Sequence, residues 1–167
     1  QITKNKVDLN TLYEGIRKLI IVDISLDSNY DNPQLIFESL NSTGLELSQA
    51  DLIRNYVLMG QEREQQNEIY KNYWYPIEES FGHSEGTEYF DRFMRDYLTI
   101  KTGTIPNKGD VYASFKEFFV SQDDSIKDLV VDIHYFSKFF TKLFKETDED
   151  SQINRVIHNI NSLKVDV

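Results

Sequence analysis

The sequence predicts a mainly α fold: an irregular multi-helix array with at most one or two short strands near the N-terminus. Two observations predict it. Apolar residues recur at spacings of three and four along most of the chain, which gathers them on one face of successive helices. Helix punctuation brackets those stripes, with Ser48 and Ser125 each three residues ahead of an aspartate and Gly44 and Gly60 closing two of the helical runs.

A chain of 167 residues, 40% apolar and 28% charged, has the composition of a folded domain and can bury a sizeable core. The longest apolar run, Leu19 to Val22, is far too short to span a membrane, so no membrane partner is expected. Cysteine is absent, which removes disulfides and thiolate metal sites and is compatible with a cytoplasmic setting. The net charge of −10 argues against a domain that grips DNA phosphates on its own, because such binding draws on a basic face. The chain opens on Gln1 and closes on Val167, and the expectation is a segment of a longer protein.

Leu9, Leu12, Tyr13, Ile16, Leu19 and Ile20 define the first helical face, with Asp8 or Asn10 as its cap. The β-branched, roughly alternating stretch Ile20 to Leu26 predicts a short strand. Asn32-Pro33 starts the next helix, since proline loses nothing at the first helical position, and Gly44 ends it. Ser48 caps a helix from Gln49 to Met59, which stops at Gly60. Apolar stripes then follow at Ile69–Phe81, Tyr89–Leu98 and Val111–Phe119. A longer helix begins at the Ser125–Asp128 capping box and turns Ile126, Leu129, Val130, Ile133, Phe136, Phe140, Leu143 and Phe144 inward. After a polar break, Ile153, Val156, Ile157, Ile160 and Leu163 form a last stripe. Trp74 with Tyr73, Tyr75 and Pro76 reads as a packing knot at a helix bend. A boundary near Gly60 would divide residues 1–60 from an all-helical region, 61–167.

The stretch Ile36 to Met59 is the richest in polar residues at helical positions. Glu38 and Asn41 share a helix face beside Phe37 and Leu40, and Gln34 lies one turn before Glu38. Spacing alone favours a solvated or turn-capping face here. Asp51, Arg54 and Asn55 follow the same logic. A second patch, Arg92, Arg95, Lys101 and Lys108, interleaves with Phe93, Tyr97 and Tyr112, a weak cue for nucleic acid. Its plainer reading is a cationic edge over core aromatics. His83, His134 and His158 are too scattered for ligand or general-base spacing, so no metal site is expected.

The pattern Phe37-Glu38-x-x-Asn41-x-x-Gly44-x-x-Leu47-x-x-x-Asp51-Leu52-Ile53-x-Asn55 resembles the signature of a prokaryotic family, the N-terminal domain of GmrSD-type, modification-dependent restriction systems. The strand before it and the aromatic helices after it resemble the family more loosely. The resemblance implies a phage-defence parent with a ParB/sulfiredoxin-like N-terminal domain, whose Asp-Gly-Gln-Gln-Arg motif is tied to nucleotide hydrolysis, and an HNH-type nuclease domain. This sequence holds neither motif; its nearest string is Glu62-Arg63-Glu64-Gln65-Gln66. The implied reading is the second half of the N-terminal domain plus a helical region, inactive alone. No cofactor is expected on this segment, whereas the parent would use a nucleoside triphosphate and a divalent metal. Its partners would be the remaining parts of that parent and, through the whole protein, DNA. Glu38 and Asn41 are then the candidate catalytic residues, Glu38 orienting a water or an arginine of the absent motif and Asn41 fixing a backbone or phosphate contact. Gly44, Asp51, Arg54 and Asn55 become candidate pocket residues, with Gly44 allowing close approach and Arg54 pairing with Glu38 or Asp51. A helical protein-interaction module is the rival expectation.

Overall fold

The computed structural model describes residues 8–21, 33–41, 47–82 and 86–163. Two compact units divide between Asn32 and Pro33. The described part of the first holds one helix, α1 (Leu9–Arg17), whose N-terminal Thr11 amide donates to the Asp8 side chain at 3.3 Å. The strand expected over 20–26 lies almost wholly outside the described residues, and Ile20 and Ile21 take no regular structure.

All regular structure among the described residues of the second unit is helical. Its elements are α2 (Pro33–Asn41), α3 (Gln49–Leu58), α4 (Arg63–Ile69), α5 (Tyr75–Phe81), α6 (Gly86–Thr102), α7 (Val111–Ser121), α8 (Ile126–Lys145) and α9 (Ser151–Ser162). A π turn, Tyr70–Trp74, joins α4 to α5, and a 3₁₀ turn, Lys108–Asp110, leads into α7. No strand occurs among the described residues. The mainly α reading holds.

Local chemistry sets the helix ends. The Ser48 hydroxyl accepts from the Asp51 amide at 3.1 Å, and Ser125 accepts from Asp128 at 3.1 Å. Gly60 follows α3 at φ 77°, a left-handed backbone that costs glycine little and other residues more. At the aromatic knot, Pro76 has no amide hydrogen to continue the ladder, and the preceding turn is widened so that the Tyr75 amide bonds the Tyr70 carbonyl five residues back.

The core is one cluster. Ile53 and Val57 of α3, Ile69, Trp74, Ile77, Phe93, Met94 and Leu98 of α6, Val111 and Phe115 of α7 and Val130 and Ile133 of α8 are all buried. Aromatic rings fill its centre: Phe81 stacks on Phe90 with centroids 5.2 Å apart, and Phe93 lies 5.3 Å from Phe140. Because α3 packs against both α6 and α7, its residues belong to the same compact unit as the helices after Gly60. That unit starts at Pro33, and Gly60 is a turn inside it.

Two expectations of burial are corrected. Leu143 and Phe144 at the end of α8 are 52% and 38% exposed, and on α9 only Ile157 is buried, with Ile160 at 59% exposure. The reason is length and position. The 20 residues of α8 outrun the 7 of α5 and the 17 of α6. The α8–α9 connection is fixed by polar groups instead: Asn161 donates to the Leu143 carbonyl at 3.1 Å, and His158 meets Glu146 at 2.9 Å. Among the described residues no helix is long and apolar enough to cross a membrane.

Substituting Phe93→Ala should cost about 3–5 kcal/mol in urea unfolding, whereas Leu143→Ala should stay within about 1 kcal/mol. Equal costs would contradict this assignment of core and edge.

Candidate functional site

Proline at its first position launches α2 and sets the next turns so that Gln34 and Glu38, one turn apart, face the same way. On α7, Tyr112 and Lys116 are also four apart. The two pairs meet. Tyr112 donates its hydroxyl to a Glu38 carboxylate oxygen in a short hydrogen bond, and Lys116 Nζ reaches both carboxylate oxygens at 3.1 and 3.2 Å. Gln34 Nε2 donates to Glu38 at 3.0 Å and to the Tyr112 hydroxyl at 2.6 Å. The Lys116 ammonium also lies 4.7 Å from the Tyr112 ring centroid.

Partial burial pushes the Glu38 carboxyl up, but hydrogen bonds from Tyr112, Gln34 and Lys116, with the lysine charge, outweigh it. The net result is a carboxyl held below the ordinary glutamate value. The Tyr112 hydroxyl is pushed well up, by burial first and then by its bond to the Glu38 anion. The result is a Glu38 carboxylate anchored by a phenol, an amide and an ammonium.

A second polar junction lies on α3. Asp91 of α6 accepts from the Ala50 amide at 2.7 Å, so a residue 41 positions away caps this helix alongside Ser48. Burial raises the Asp91 carboxyl despite bonds from the Ala50 and Gln49 amides. The Gln49 side chain accepts from the Tyr112 amide at 2.8 Å, tying the start of α3 to the start of α7. Arg54 pairs with Asp51 at 3.2 Å and with Glu78 of α5 at 3.1 Å. Glu78 also accepts from the Trp74 indole at 3.1 Å.

Of the sequence candidates, the structure therefore joins Glu38 to α7 and Arg54 to α5, while Asp51 bonds Ser48 and pairs with Arg54 within its own helix. Arg54 takes Asp51, one of its two expected partners, together with Glu78. Asn55 sits on α3 and its carbonyl accepts from the Met59 amide at 2.8 Å. Gly44 lies outside the described residues, and of Asn41 only the backbone is described. Tyr112, Lys116, Glu78 and Asp91 were not expected at this site from sequence, Tyr112 having entered only as an aromatic beside the basic patch. The signal available for the first two was a donor pair at the same four-residue spacing as Gln34 and Glu38.

The basic patch divides. Lys101 pairs with Asp132 at 2.7 Å and lies 4.6 Å from the Phe136 centroid, toward α8. Arg92, Arg95 and Lys108 instead line a cleft of about 460 Å³ beside Val111. No cluster of side chains suited to a metal ion occurs among the described residues. Comparison of the chain with protein-family models, with curated proteins and with solved structures yields no match.

The lowered Glu38 carboxyl fixes the sign of a pH effect. A group depressed in the folded state stabilises above its unfolded value and loses that contribution as pH falls through its folded value. The stability advantage of wild type over Glu38→Gln should therefore be full at neutral pH. It should shrink only below the ordinary glutamate value of 4.5. Urea unfolding at a series of pH values checks this; an advantage that grows on acidification would contradict it.

Proposed function

We propose that this chain is the helical part of a restriction-type DNA-processing protein of the GmrSD kind, inactive alone, in which Glu38 is a positioning residue. The resemblance of the Phe37-to-Asn55 pattern supplies the family. One structural observation supports the role: the Glu38 carboxylate is occupied by Tyr112, Lys116 and Gln34. A carboxylate held as an anion by three donors has little basicity to offer as a general base, whose efficiency rises as its pKa approaches the working pH. It is well suited to fasten α2 to α7. On this reading the motif holds the nucleotide-hydrolysing part of the parent in register with the helical body. The nucleoside triphosphate, divalent metal and modified DNA belong to the whole protein.

A helical interaction module is the second reading. It is favoured by apolar side chains exposed on α8 and α9, among them Tyr135, Phe139, Ile153 and Ile160.

The test uses the full-length parent, with nucleotide hydrolysis and restriction of modified DNA as readouts. A fastening role predicts that Glu38→Gln and Lys116→Ala lower both activities by similar factors. A drop of about 10²-fold or more in Glu38→Gln, with Lys116→Ala at wild-type rates, would make Glu38 catalytic and contradict the proposal. Wild-type rates in both folded variants would leave the interaction module as the better reading.

A further inference from the structure

We propose that the cleft between α6 and the start of α7 binds a small phosphate-bearing ligand of about mononucleotide size, through Arg92, Arg95 and Lys108. This inference is independent of the role given to Glu38. In a chain of net charge −10, three cations converge on one concavity. Among the described residues two carboxylates, Glu88 and Asp91, share its lining. Asp91 is already committed to the amide of Ala50 at 2.7 Å, so among the described lining residues Glu88 is the carboxylate left beside three cations.

The two arginines are partly compensated within the protein by the nearby Asp96 charge, but without a close ion pair. Arg92 meets Asp96 only at 3.9 Å, with both side chains about half exposed. Among the described residues neither Arg95 nor Lys108 has an ion-pair partner within 4.0 Å. Arg95 is nevertheless held in place, because its Nε donates to the Pro106 carbonyl at 2.7 Å. One end of the guanidinium is thus anchored while its terminal N–H groups remain for a ligand.

These features select the ligand chemistry. A guanidinium fork matches two oxygens of a phosphate, and a lysine adds a point charge. Three cations in a recess call for an anion with more than one charge and more than two acceptor oxygens, which a phosphomonoester supplies and a carboxylate does not. The volume of about 460 Å³ is that of a small-molecule site. Tyr89 and Val111 add apolar atoms to the lining for the ligand's organic part.

The probes are adenosine monophosphate, pyrophosphate and adenosine, titrated calorimetrically into the whole chain at low and moderate salt. Adenosine monophosphate and pyrophosphate should bind, more weakly as salt rises, and adenosine should not. Arg92 and Lys108 are exposed, so the double variant Arg92→Ala/Lys108→Ala should fold normally and weaken binding by about tenfold or more. Glu88→Gln should tighten it by about threefold, a gain that misfolding could not produce. No heat with either phosphate ligand, equal binding of adenosine, or unchanged affinity in the folded double variant would each overturn the proposal. So would binding of duplex DNA in the absence of binding by the small phosphates.

Discussion

The constraint on which the site depends is the meeting of two four-residue pairs, Gln34 with Glu38 and Tyr112 with Lys116. On α7 Val111, Tyr112 and Phe115 are buried, whereas none of the described α2 side chains is fully buried. Of α2 side chains, Leu35 is 63% exposed. A carboxylate shared among a phenol, an ammonium and an amide ties α2 to α7. The Lys116–Glu38 ion pair, its side chains 34% and 25% exposed, contributes little alone, about 0–1 kcal/mol, because water and salt still screen it. Adding a buried phenol that would otherwise need another partner raises the stake, since a hydrogen bond to a charged group contributes about 1.5–3 kcal/mol.

The same device recurs elsewhere in the second unit. Helices whose cores are aromatic are placed relative to one another by single carboxylates that gather several donors. Glu78 collects Arg54, the Trp74 indole and, at 3.4 Å, the Tyr70 hydroxyl. Asp132 takes the Tyr97 hydroxyl and Lys101, both at 2.7 Å. Asp91 caps α3 from α6. In an acidic protein these residues spend their charge internally, which is why the basic cleft of α6 stands out against the rest of the surface.

Much of the fold was legible in the sequence, because helical period and cap chemistry act over three or four residues. The Ser48 and Ser125 caps, the Pro33 start, the Gly60 stop and the buried stripes of α6 and α7 all follow from local patterns. What was not legible depends on neighbours distant in the chain. An apolar stripe states which face a helix can bury, not whether a partner covers it, so Leu143 and Ile160 read the same as Ile133. Polar residues are harder still. Glu38 has the same sequence character whether solvated or bonded to Tyr112, 74 positions away. The division of the basic patch has the same origin: Lys101 lies on the α8 side of α6, and the cleft lies on the α7 side.

The central claim is that Glu38 and Tyr112 are energetically coupled, so that α2 is fastened to α7 through them. A double-mutant cycle tests it most directly, using Glu38→Ala, Tyr112→Phe and the combined variant, each unfolded in urea at pH 7. The account predicts a coupling energy of about 1–2 kcal/mol, the double variant losing less than the sum of the singles. Strict additivity, a coupling indistinguishable from zero, would contradict it.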